Sequence, residues 1–161
     1  MTLPRELRIA DGKLLQTPIS GIESLRWAEK PDDGILPDAC ELEIQVPAGD
    51  FDLALYTKAD GSGGLTFRYD DAAKLCTVDR RGLNKRFNQN VFEVLDMPLE
   101  NGLRKLRIFI DRSSTEFFVN DGEATFTTHS YPEKDEHFMT HSEAAVRLWS
   151  LRASVTDEFV V

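Results

Sequence analysis

Three histidines and a surplus of acids are the residues in this chain that could do chemistry. His137 and His141 stand four apart, and His129 lies eight residues upstream. On a helix the first two would share a face, and three imidazole nitrogens could hold zinc. The helical zinc-protease pattern also needs Glu directly after the first His, where Phe138 stands. The segment has the composition of a loop between strands, so no metal site is assigned. Asp32-Asp33, Asp70-Asp71 and Asp135-Glu136 are adjacent acids. A glycosidase holds two carboxyl groups about 5–9 Å apart across the scissile bond, one with a raised pKa. All three pairs lie in stretches of turn composition, where carboxylates are solvated. Gly61-Ser62-Gly63 is too short for a nucleophile elbow. Neither Cys40 nor Cys76 neighbours a histidine, which leaves a thiol nucleophile without its base. Glycine-rich nucleotide-binding patterns are absent. The expectation is no catalytic residue, no cofactor and no metal ligand.

Binding leaves more to weigh. Arg80, Arg81, Lys85 and Arg86 form a basic cluster, but the whole chain has 19 basic and 28 acidic residues, a net charge of −9. That balance opposes nucleic acid and anionic membrane surfaces, and no apolar run is long enough for a transmembrane helix. Trp27, Trp149, Tyr56, Tyr69 and Tyr131 could stack on a sugar ring, although aromatic residues of β-proteins more often fill the core. Trp27, between Arg26 and Glu29, is the sugar-stacking candidate. Two cysteines in 161 residues do not make a disulfide framework and read as buried thiols. The N-terminus lacks the basic and apolar stretches of a secretory leader, so a cytoplasmic location is expected.

The elements that must position these residues are strands. Cys40, Leu42, Ile44 and Val46 alternate with Glu41, Glu43 and Gln45, as a half-buried strand requires. Phe51 to Leu55, Leu65 to Tyr69, Leu106 to Ile110, and Ala145 to Leu151 repeat that period, and Phe118, Ala124 and Phe126 continue it. Asp70 to Lys74 connects two further runs. Asp11-Gly12 and Asn120-Asp121-Gly122 supply residues that tolerate positive φ in tight hairpins. The acidic stretch Lys30 to Asp38, with two prolines, reads as a surface loop. Short strands punctuated by turns predict an all-β fold, a two-sheet antiparallel sandwich of about ten to twelve strands spanning residues 1–161 as a single domain.

Two segments carry a resemblance. Asp111-Arg112-Ser113-Ser114-Thr115-Glu116-Phe117-Phe118-Val119-Asn120-Asp121-Gly122-Glu123 resembles the strand–hairpin signature of the C-terminal domain of glycoside hydrolase family 32, which includes invertases, sucrose-6-phosphate hydrolases, inulinases and levanases. Met1 to Leu7 resembles the segment where that family's chain leaves its catalytic propeller and enters the sandwich. The resemblance implies a parent with a five-bladed propeller that hydrolyses β-fructofuranosides with retention. That family's nucleophile, acid/base and transition-state motifs match nothing here. Asn120-Asp121-Gly122 lacks the proline, Cys40-Glu41 reverses the Glu-Cys order, and Arg-Asp-Pro does not occur.

The resemblance therefore implies a non-catalytic accessory domain whose partner is the N-terminal propeller of the parent chain. Arg5 and Glu6 become candidates for the interdomain interface. An uncovered apolar face there would promote self-association. The alternative is a fructan-binding module without hydrolytic activity, using an exposed aromatic residue such as Trp27. A bacterial cytoplasmic parent acting on sucrose-6-phosphate is the substrate expectation.

Overall fold

The computed structural model describes residues 3–85 and 93–153. Met1, Thr2 and Arg86, named above, lie outside the described residues. Among the described residues thirteen strands follow in order: β1 (Arg5–Ala10), β2 (Lys13–Pro18), β3 (Arg26–Lys30), β4 (Ala39–Gln45), β5 (Phe51–Thr57), β6 (Leu65–Asp70), β7 (Leu75–Asp79), β8 (Val94–Pro98), β9 (Lys105–Asp111), β10 (Ser114–Val119), β11 (Ala124–His129), β12 (Phe138–His141) and β13 (Ala145–Leu151). They form a six-stranded sheet in the order β11-β10-β9-β4-β13-β3 and a five-stranded sheet in the order β12-β5-β6-β7-β8. The hairpin β1–β2 stands apart as a third, two-stranded sheet, and every named pairing is antiparallel.

Three strands lie beyond the runs that the apolar pattern marks: β3, β8 and β12. All three are edge strands. An edge strand is held by main-chain bonds on one side only and need not bury a full face, so its side chains lose the period of two. β8 shows this directly, with exposed residues at four of its five positions. β12 corrects the loop expected around the histidines.

The core lies between the two large sheets. Cys40, Leu42 and Ile44 of β4 and Leu106, Ile108 and Ile110 of β9 point inward, facing Phe51, Leu53, Leu65, Phe67 and Tyr69 of β5 and β6. Phe67 and Phe117 stack across the interface with centroids 5.7 Å apart. Phe118 does not share the face of Ala124 and Phe126. The register pairs Phe117 with Phe126 and Val119 with Ala124, which sends Phe118 to the outer face of the six-stranded sheet. There it meets Phe109 edge-on at 6.0 Å, beneath Ile22 from the short 3-10 turn Ile22–Leu25.

Both expected hairpins form. Asp11 and Gly12 have φ of 51° and 74°, and Asn120, Asp121 and Gly122 have 47°, 57° and 92°. Asn120 does more than turn the chain. Its Oδ1 accepts the amides of Arg104 and Lys105 at 2.9 and 3.2 Å, and its Nδ2 donates to the Gly102 carbonyl at 2.7 Å. The start of β9 is thereby tied to the β10–β11 corner.

Candidate functional site

The first two strands reach the body of the sandwich through a clasp. The Glu116 carboxylate is almost fully buried on the outer face of β10 and accepts the Leu3 amide and, at 2.8 Å, an Arg5 guanidinium nitrogen. Arg5 also donates to Gln16 at 3.2 Å, Thr125 at 3.1 Å and Thr127 at 2.9 Å, and lies over the Phe118 ring. Lys13 pairs with Glu123 at 2.9 Å. The Arg5 guanidinium is thus engaged by the chain's own groups. Glu6 is exposed, and its carboxylate accepts the Ser20 amide at 2.7 Å, which holds its pKa below the usual range.

Beyond the clasp the hairpin leaves apolar side chains in solvent. Leu7, Ile9 and Leu14 are 66%, 78% and 53% exposed. Ile9 faces Leu14 across the ladder, and Leu7 lies two residues along on the same face. This apolar cluster makes the hairpin face a candidate interaction surface.

Next to the hairpin the outer face is ionic. Glu41 is fully buried, and its carboxylate accepts Arg26 at 2.9 and 2.7 Å and Arg107 at 2.6 Å. Arg26 also reaches Glu43 at 2.7 Å, and Arg107 reaches Glu23 at 2.7 Å. Trp149 is buried here between the guanidinium groups of Arg26 and Arg147, 3.7 and 4.5 Å from its ring centroid. Hydrogen bonds that Arg26 donates to Glu41 and Glu43 hold its pKa well above the ordinary guanidinium range, against the opposing effect of burial. The reversed Cys40-Glu41 pair of the sequence is therefore one half core and one half structural ion pair.

The other sequence candidates scatter. Trp27 is 65% exposed on the edge strand β3, with Arg152 over its ring at 4.1 Å. Tyr56 and Tyr69 are buried, whereas Tyr131 is 40% exposed. Arg81 pairs with Asp79 at 2.6 Å and Lys85 with Glu133 at 3.0 Å, so these members of the basic cluster meet the chain's own acids. His141 sits in β12 against Asp32 at 3.1 Å. His137 precedes β12 and His141 ends it, so an extended strand of roughly 10 Å lies between them and the two rings do not converge as they would on a helix. Among the described residues no group of three or more His, Cys, Asp or Glu could hold a metal ion.

The acid pairs likewise serve turns. Asp70 caps the Ala73 amide at 2.8 Å, and Asp33 accepts the Ile35 amide at 3.1 Å. Asp71 meets Lys74 at 2.6 Å and Asp135 meets Lys58 at 3.3 Å. Glu136 is the buried exception, holding the Asn84 amide and the Glu133 backbone N–H. The two thiols are free and buried on different sheets, and burial pushes each up to about 12. Among the described residues no helix is long and apolar enough to cross a membrane.

Similarity to known proteins agrees with this architecture. The model of "Glycosyl hydrolases family 32 C terminal" matches residues 21–156. The chain is 32% identical to raffinose invertase of Escherichia coli over 167 residues, covering 94% of this chain and 34% of that protein. It is also 32% identical to sucrose-6-phosphate hydrolase of Zymomonas mobilis over 154 residues, covering 84% and 30%. The structure superposes on sucrose-6-phosphate hydrolase from Lactobacillus gasseri with a TM-score of 0.79 at 25% identity, covering 92% of this chain and 33% of that one. Exo-inulinase from Aspergillus awamori shares the fold, with a TM-score of 0.74 at 22% identity over 94% of this chain and 36% of that one. The chain thus spans about a third of the length of the relatives it matches. With 136 of its residues inside the family match and the sandwich reproduced, the chain belongs to glycosyl hydrolase family 32, as that family's C-terminal domain.

Proposed function

We propose that the chain is a non-catalytic accessory domain that packs against and stabilises the N-terminal propeller of a β-fructosidase. The parent's substrate would be sucrose, sucrose-6-phosphate or a related β-fructofuranoside, hydrolysed with retention. One observation carries this reading: the chain corresponds to a third of its hydrolase relatives, and its first two strands expose Leu7, Ile9 and Leu14. The proposed interface is that apolar face, with Glu6 at its margin and Arg5 fixing the hairpin's angle through Glu116. Apolar side chains on an element that precedes the sandwich are suited to cover by a neighbouring domain. A cytoplasmic setting accompanies the reading, because unbridged buried thiols suit a reducing compartment.

The test has two parts. Purified chain incubated with sucrose and sucrose-6-phosphate should release no fructose above buffer. Release that vanishes on a single Asp or Glu substitution would instead establish an acid pair in this chain. Sedimentation should show concentration-dependent self-association that Leu7→Glu with Ile9→Glu abolishes. A monomer at every concentration, unaltered by those changes, would move the interface elsewhere.

A further inference from the structure

A cavity of about 370 Å³ opens at one end of the sandwich, among Leu36, Ile110 and the loops flanking β9 and β12. That volume is at the small end of ligand sites and suits one or two sugar rings. Three features of its lining point to a ligand.

The first is Tyr56. At the pairing of β5 with β12 the register shifts, so that Thr57 faces Phe138 while Leu55 faces Met139. Tyr56 is the unpaired residue of this bulge, with φ of 60°. Positive φ is a genuine outlier for a bulky aromatic residue, and bulges often re-aim a side chain beside a site. Here the ring becomes part of the cavity wall. Its hydroxyl reaches the opposite sheet at Thr115 Oγ1, 2.6 Å away, and Thr115 lies 3.2 Å from Ser130 Oγ.

The second feature is the arrangement of charge. Asp38, Arg112 and Glu136 all line the cavity. The Arg112 amide donates to the Asp38 carbonyl at 3.1 Å, and Arg112 itself has φ of 43°, so the loops carrying these two side chains are locked together. Two carboxylates against one guanidinium repel phosphate and sulfate. The same groups suit vicinal hydroxyls, which donate to a carboxylate and accept from a guanidinium.

The third feature is aromatic. Tyr131 is partly exposed in the cavity lining and stacks on His129 at 6.4 Å, and His137 lines the same cavity with its ring against Phe138 at 4.4 Å. Half-exposed rings beside polar groups match the apolar C–H face and polar rim of a sugar. Trp27 lacks such an enclosure, being an isolated ring on a sheet edge beneath Arg152.

We propose that this cavity binds one unit of a neutral saccharide, its hydroxyls taken by Asp38 and Arg112 and its C–H face laid on Tyr131. Such binding goes beyond the accessory role: the isolated chain is expected to bind the sugar without turnover.

The test is an amide NMR titration of the labelled chain with sucrose and 1-kestose, and in parallel with sucrose-6-phosphate and inorganic phosphate. Saturable shifts at Asp38, Arg112, Ser113, Tyr131 and His137 with the neutral sugars are expected. Tyr131→Ala should weaken binding about tenfold while leaving the rest of the spectrum in place. Asp38→Asn, which keeps size and shape, should weaken it as well. Shifts driven more strongly by phosphate would overturn the neutral-sugar assignment. Flat spectra up to about 0.1 M sugar, far above the millimolar range of weak sites, would remove the site altogether. So would shifts centred on Trp27 that are indifferent to Tyr131→Ala.

Discussion

Replacing Gly122 by alanine should detach the N-terminal hairpin, and the cost can be worked out against an internal control. Gly122 has φ of +92°, and a Cβ built on it would lie 2.3 Å from the Gln16 carbonyl oxygen, 2.6 Å from its carbon and 2.8 Å from its nitrogen. These are backbone atoms of β2, so no side-chain rotation relieves the collision. Gly12 has a similar φ of +74° but nothing within 4 Å of its Cβ. Alanine at either position carries the backbone penalty of about 1 kcal/mol. Only at Gly122 must β2 also retreat by about 1 Å to reach ordinary contact distance. That retreat strains the Lys13–Glu123 pair at 2.9 Å and the Arg5–Gln16 bond at 3.2 Å. Overpacking against fixed backbone adds about 1–3 kcal/mol, so Gly122→Ala should cost about 2–4 kcal/mol and Gly12→Ala about 1 kcal/mol. Urea denaturation gives the global loss, and hydrogen exchange shows where it falls. Amides of β1 and β2 should lose protection first, with those of β4 and β9 retained. Equal losses for the two variants, with hairpin protection intact, would refute the docking of β2 on the β10–β11 corner.

Three further outcomes follow from the same geometry. Glu41→Ala should cost about 3 kcal/mol in urea, because it strips a shared carboxylate from Arg26 and Arg107, whose side chains are only 20% and 16% exposed. A loss below about 1 kcal/mol would mean that Glu43 and Glu23 take up both arginines. A thiol reagent at pH 8 should label neither cysteine in the native chain and both in denaturant, since burial pushes each thiol up to about 12. For Glu123, burial raises the pKa, but hydrogen bonds from Lys13, Asn120 and Asn101 outweigh it and leave the carboxyl below its ordinary value. A depressed carboxylate contributes stability that is full above the unfolded value and lost as pH falls through the folded one. Hairpin protection should therefore hold at pH 6 and decline below about pH 4, and Lys13→Met should flatten that dependence. Unchanged protection down to pH 3 would count against it.

Much of the fold was legible because a half-buried strand writes itself as alternation. Cys40 to Val46 and Leu106 to Ile110 show the period of two, and their inward residues are the ones that fill the core. Asp11-Gly12 and Asn120-Asp121-Gly122 were equally legible, since few residues accept positive φ. The edge strands β3, β8 and β12 were not, because one-sided pairing imposes no alternation. The face that Phe118 takes was not legible, because its neighbour Phe117 is equally apolar and only the pairing with β11 decides between them. The signature around Glu116 could be read as a family resemblance, but not its task. That Glu116 meets Arg5 and the Leu3 amide depends on a hairpin more than a hundred residues away in sequence folding back onto β10.

The residue types alone thus determined the class of fold, the turns and the family. Tertiary structure decided which polar groups are spoken for. It placed Arg5 in a clasp and Glu41 between two arginines, and it aligned Asp38, Arg112 and Tyr131 around one cavity. The physical reason is range: alternation and φ preference act within a few residues, whereas burial and ion pairing act between segments that only the folded sheets bring together.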